Sequence, residues 1–246
     1  MSSKALQRFT ARVREYSSDI ELSDILIRRF LRTPDSNQSV CDAVEGRSDQ
    51  YPILHNRVNT RQSRNIIGLH LKATLFEAFI KDLHEDFSEY LATSLSRAAL
   101  AGIDAGRFAG EAKLDLHAKE ILETGSWDGV VRLISDKIFR ALENERNTKS
   151  LIDKFGRRVG LAIDDPISSA AMPYLDARHI LVHRDGRPDD LYIRNYPHIP
   201  LDRGEIAVNF NFLRDAREKV VALAEHIDAA LINAKLVRRE DMTGQH

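Results

Sequence analysis

The chain has 246 residues, 43% hydrophobic and 30% charged, enough for one sizeable core, or a core with an attached arm, and far from a disordered composition. Its 36 Lys and Arg stand against 37 Asp and Glu, a net charge of -1, so no global basic field exists to hold nucleic acid and any anion site must be local. A single cysteine, Cys41, excludes an intrachain disulfide and a cysteine-based zinc site.

The first residues carry charges without the apolar core of a signal peptide, and no apolar run approaches the roughly 18 residues of a membrane span. The expectation is a soluble, cytoplasmic chain with no membrane contact. Residues 3 to 32 read as helical in two pieces, with Leu22, Ile25, Leu26, Arg29 and Phe30 repeating at three- and four-residue steps. Thr33-Pro34-Asp35 stops the helix, and residues 33 to 60 are polar and aperiodic, a long loop holding Cys41. A strong helix follows. Ile67, Leu71, Leu75, Phe79, Leu83, Phe87 and Leu91 fall every fourth residue, thickened by Phe76 and Ile80. A four-step row slips about 40° per step on an α-helix, so this apolar face wraps around and meets several partners.

From 92 to 160 the sequence stays helical, interrupted at Gly102, Gly106, Gly110 and Gly125. One piece starts near Ser126 and is expected to bury Trp127, as a core anchor, with Val130, Val131, Ile134, Ile138, Ala141 and Leu142. Asp165-Pro166 reads as an N-cap and first-turn pair, and Pro173 as a kink or restart of a helix that ends at His183. Asp185-Gly186 marks the stop. Leu191, Tyr192 and Ile193 read as a short strand, and the alternation Ile206, Val208, Phe210, Phe212 as its partner, giving a hairpin over 190 to 212. The last helix runs from about 212 to 236. The fold class is mainly α: a helical bundle with a small β-hairpin before the last helix.

Within the helix ending at 183, the segment Asp-Ala-Arg-His-Ile-Leu-Val-His-Arg-Asp-Gly (176 to 186) is chemically odd. Arg178 stands in the middle of an apolar face formed by Ala171, Tyr174, Leu175, Leu181 and Val182. A guanidinium keeps its proton, so burying it alone costs several kcal/mol, and that face must meet an acid, a cleft or another subunit. His183 closes the helix, where the dipole favours a charged imidazole. An arginine that neutralises phosphate beside a histidine that moves a proton suits phosphodiester chemistry.

"RHILVH" resembles the Arg-polar-x-x-x-His signature of the HEPN superfamily. There, too, the motif closes a bundle helix and precedes a turn, an excursion and a final helix. The long helix "GLHLKATLFEAFIKDLHEDF" is similar to an early helix of such bundles. The resemblance covers residues 61 to 236, leaving 1 to 60 as a helical extension and loop and 237 to 246 as a flexible tail. It implies metal-independent RNA cleavage without a cofactor, by a toxin or defence effector. His183 would take the proton of a ribose 2′-hydroxyl, and Arg178 would stabilise the phosphorane-like transition state, leaving a 2′,3′-cyclic phosphate and a 5′-hydroxyl. It also implies a homodimer whose two motifs build one composite site, with an antitoxin or nucleotidyltransferase as a further partner. Some toxins of the family carry a modified tyrosine two residues after the motif histidine; Asp185 stands there in this chain.

Supporting roles fall to His179, the polar residue of the motif, and to Glu77, set between Phe76 and Phe79 to pair with Arg178 or orient His183. From Tyr51 to Phe76 there is no acid, and Arg57, Arg61 and Arg64, with Arg184 beside the motif, are candidate contacts to an RNA backbone. His179 and His183 are also spaced as zinc ligands, with His198 as a third, but no Glu follows the first histidine and the metal assignment is none. The alternative is a HEPN-like module that binds a nucleotide, RNA or a partner protein without cutting.

Overall fold

The structure, a computed structural model, describes residues 1–110, 114–143 and 147–244. Sequence expectations that touch 111–113, 144–146 and 245–246 lie outside the described residues. The protein is mainly α: eleven helices and one two-stranded antiparallel hairpin are found among the described residues. In chain order they are α1 (Lys4–Leu31), α2 (Val40–Ala43), α3 (Pro52–His55), α4 (Arg61–Leu100), α5 (Ala105–Ala109), α6 (Ala118–Glu123), α7 (Trp127–Glu143), α8 (Thr148–Val159), α9 (Asp165–His183) and α10 (Asp190–Asn195). Strands β1 (Leu201–Asp202) and β2 (Glu205–Ile206) then precede α11 (Phe210–Asn233). Among the described residues no helix is long and apolar enough to cross a membrane.

Compactness divides the chain otherwise than at residue 60. One unit comprises residues 1–13, 80–207 and 211–246, and the other 14–79 with 208–210. In the first unit the core is aromatic and aliphatic. Phe9, Phe87 and Tyr90 stack with centroids 5.8 to 6.3 Å apart, and Leu91, Leu95, Ile138, Ile152, Phe155, Leu223 and Ile227 are almost wholly buried. The described part of the C-terminal tail is tied down rather than loose. Thr243 N–H donates to Ser2 O, and Ser3 bridges Met242 as a short antiparallel contact.

Several elements differ from the sequence reading. The first helix is one piece. Trp127, expected in the core, is 75% exposed at the start of α7, and Ala141 is exposed too, while Ile138 and Leu142 are buried as expected. Leu191–Ile193 is helical, because Asp189 caps α10 by accepting the Tyr192 N–H at 2.9 Å and only Tyr192 of the three is buried. The hairpin shrinks to two residues per strand around Arg203-Gly204, both at positive φ, the backbone that a two-residue turn demands. Its expected continuation to Phe212 is not strand: residues 207–209 are irregular and α11 begins at Phe210. Phe212, Leu213, Ala216 and Val220 are buried at helical spacing, with Phe212 edge-on to Tyr174 at 5.0 Å.

In the second unit α1 runs antiparallel to the first half of α4. Gly68 lets the helices close up: a Cβ there would lie 2.8 Å from Leu31 Cδ2. Lys72 Nζ reaches Asp24 at 2.7 Å, and Arg28 Nε reaches the same carboxylate at 2.6 Å. Burial pushes the Asp24 carboxyl up, but these two cations outweigh it and hold it below its ordinary value. The loop 33–60 holds Cys41, which is buried in the short helix α2 rather than in open loop. Arg64 fastens the loop to α4. Its guanidinium donates to Asn59 Oδ1 at 2.7 Å, to Asp35 Oδ1 at 2.8 Å and to the Pro34 and Asn59 carbonyls.

Candidate functional site

Helix α9 carries the site. Pro166 opens it within the first turn, after Asp164 at the cap position, one residue earlier than the sequence suggests. Pro173 lies inside the helix without ending it. At the far end the N–H groups of Arg184 and Gly186 both donate to Ile180 O, at 3.0 and 3.3 Å. Asp185 and Gly186 have positive φ, the αL stop expected of that dipeptide. Helix α10 folds back onto α9. Tyr192 Oη donates to the Pro173 carbonyl at 2.7 Å, Tyr196 Oη donates to Asp176 Oδ2 at 2.6 Å, and the two rings meet edge to face.

These contacts open a cleft of about 740 Å³ between α8, α9 and α10. A second cavity of about 400 Å³ lies between α4, α7 and α9. Arg178 lines both, and so do His84, Ser88 and Glu143. The guanidinium therefore stands at the junction of the two spaces. Its Nε is buried and has no hydrogen-bond partner among the described residues. This is the arginine that stands in an apolar face of α9, and that face meets two cavities whose linings also carry the carboxylates Glu85, Glu89, Asp136 and Glu143.

His84 and Ser88, one helical turn apart on α4, were not singled out from sequence. The signal was present: Phe76, Ile80, His84 and Ser88 fall every fourth residue, so the pair continues a buried row in polar chemistry. Burial, and secondarily the charge of Arg178, lowers the His84 pKa to about 4, so its imidazole is neutral at pH 7.

The motif residues are brought partly together. His179 lines the larger cleft, and the exposed His183 ring packs on it, centroids 4.9 Å apart. His183 lines neither cavity and stands exposed at the end of α9, one helical turn from His179. No group of three His, Cys, Asp or Glu able to hold a metal ion is found among the described residues. Arg184 is half-exposed and paired with Asp189 at 3.0 Å.

Glu77 is half-buried on α4 in the second unit and lines neither cavity. Arg57 and Arg61, also in that unit, are exposed and open to a polyanion. Arg64 is not: it is 3% exposed and committed to Asn59 and Asp35, so the phosphate contact expected of it is corrected to a structural tether. No family model, curated protein or solved structure matches this chain.

Proposed function

We propose that this chain is a metal-independent endoribonuclease of HEPN type, a toxin or defence effector acting on RNA as a homodimer. The observation that carries this reading is the Arg178 guanidinium, whose buried Nε lacks a partner among the described residues at the wall of an open cleft, on the helix that ends in His183. A guanidinium with an N–H donor left open at a cleft is poised for an acceptor, and a phosphodiester is an anion that arrives with its own oxygens as acceptors. His183 supplies the proton transfer, and its exposed position at the end of α9 suits a scissile bond held between two protomers. His179 holds the His183 ring through their tilted ring contact, and the neutral His84 donates or accepts a hydrogen bond beside Arg178 without adding charge.

A second reading, a HEPN-like module that binds nucleotide, RNA or a partner protein without cutting, is favoured by the carboxylates of Glu143 and Asp153 in the cleft lining, which oppose a polyanion. Incubating the protein with structured RNA, with and without EDTA, separates the two. Cleavage that persists in EDTA, ends in 2′,3′-cyclic phosphate and is lost in His183→Ala and Arg178→Ala supports the enzyme. RNA that stays intact at high protein concentration overturns it in favour of the binder.

A further inference from the structure

Three arginines of the second unit gather at the C-terminal end of α1. Arg28, Arg29 and Arg32, three, four and seven residues after Ile25, share one side of the helix and line a surface cavity of about 650 Å³ with Pro34 and Ala43. No carboxylate lines it among the described residues. Arg28 is paired with Asp24, which Lys72 holds as well. Arg29 and Arg32 are exposed, and their guanidinium groups have no partner among the described residues. A basic last turn by itself is ordinary, since cations there face the free carbonyls of the helix. Here the charge continues onto other elements. Asn59 Nδ2 donates to the Pro34 carbonyl at 3.0 Å, so exposed Arg57 and Arg61, two residues to either side of Asn59, border the same end of the unit.

The acids of this region set its limits. Asp35 is paired with Arg64 at 2.8 Å. Asp42 and Glu45, either side of Ala43, and Glu21, one turn before Ile25, are exposed but do not line the cavity. We infer that this end of the second unit is a backbone contact for RNA, with phosphates held by Arg29 and Arg32 in the cavity and by Arg57 and Arg61 beside it. A guanidinium offers paired N–H donors to phosphate oxygens, and arginines spread over α1, the loop and α4 suit successive phosphates of one chain. Lipid headgroups present the same chemistry. A bilayer lying along α1, however, would also meet the exposed Glu15, Asp19 and Glu21, which a polymer crossing only the end of the helix avoids. The inference rests on the reading that RNA is the partner of this chain, and not on cleavage.

The test is binding of 2′-O-methylated RNA, which keeps its phosphates but has no 2′-hydroxyl to attack, to the full-length chain by fluorescence anisotropy over a range of salt. Arg29→Ala with Arg32→Ala is expected to weaken binding by about tenfold and to lower the salt slope by about 1.4, two contacts at about 0.7 each on a single strand. Arg29→Lys with Arg32→Lys is expected to keep the slope and lose part of the affinity, since the charge stays and the fork goes. A double alanine variant that melts lower yet binds RNA as the wild type does assigns the arginines to the helix dipole and overturns the inference. So does a wild type that holds vesicles of anionic phospholipid, or inorganic phosphate, but not RNA. Ordinary RNA cut by the wild type and the double alanine variant with the same KM overturns it too, while the chemistry at Arg178 stands. RNA that is never cut, yet is bound through Arg29 and Arg32, sustains the inference without that chemistry.

Discussion

The charge of Arg178 reaches His84 across the junction of two cavities and, together with burial, keeps that imidazole neutral. The coupling is testable without any substrate. In Arg178→Gln the repulsion is removed while the burial of His84 remains, so its pKa is expected to rise from about 4 yet stay below the ordinary value near 6.5. Following the His84 ring protons by NMR through an acid titration reads this directly. An unchanged His84 titration in the variant would mean that the two side chains do not share the cleft wall.

The same group sets a pH window for stability. Its folded pKa lies below the unfolded one, so between about 4 and about 6.5 the unfolded chain binds the proton that the folded chain refuses. Stability is therefore full above about pH 6.5 and falls as the pH drops toward 4, by roughly 2–3 kcal/mol for this group alone. His84→Gln, which cannot take a proton, is expected to flatten that part of the profile. Urea midpoints at pH 7 and pH 5 for the two proteins check the difference, and parallel slopes would remove His84 as the cause.

Periodicity made the helices legible and left their partners obscure. Of the four-residue row from Ile67 to Leu91, Phe79, Leu83, Phe87 and Leu91 are buried as the spacing implies, whereas Leu71 is 46% exposed and Ile67 and Leu75 are half-buried. Leu22, Ile25 and Leu26 have the same kind of spacing, yet they face outward, since periodicity reports a stripe and not what lies against it. The alternation from Ile206 to Phe212 fits a strand as well as the start of a helix, and burial of Phe212 with Leu213 decides for the helix. At the site, Arg178 was visible as a cation among apolar residues. His84 was hidden because one sequence does not reveal which face of a distant helix will meet it.

Arginines 57, 61 and 64 were grouped by composition, and their surroundings now separate them. Arg57→Ala with Arg61→Ala is expected to leave the melting temperature within a degree or two, since both side chains are exposed, and to weaken RNA binding with a shallower salt dependence. Arg64→Ala is expected to behave oppositely. It strips donors from Asn59 and Asp35 and from two carbonyls, costing about 2–3 kcal/mol, and lowers the melting temperature. Arg64→Lys should not restore it, because an ammonium lacks the fork that reaches both residues. Thermal melts beside filter-binding isotherms separate the two behaviours, and a stable Arg64→Ala protein would refute the tether.

The Asp24 cluster offers a sharper asymmetry. Asp24 is 7% exposed and accepts from Lys72 and Arg28, whereas the Lys72 and Arg28 side chains still reach water, at 26% and 58% exposure. Removing the carboxylate frees two cations that can be solvated. Removing Lys72 leaves a buried carboxylate with only Arg28 to hold it. Lys72→Met is therefore expected to destabilise more than Asp24→Leu, by about 1 kcal/mol in the difference, although each deletes the same ion pair. The pH dependence distinguishes them further. Because the Asp24 pKa is held below its unfolded value, its stabilisation is complete above about pH 4 and disappears as the pH falls through the folded value. The gap between wild type and Asp24→Leu should thus be widest at pH 7 and narrow as the pH falls below about 4. Denaturant titrations at pH 7 and through the acid range give all the comparisons, and equal losses for Lys72→Met and Asp24→Leu at pH 7 would show that Arg28 alone satisfies the carboxylate.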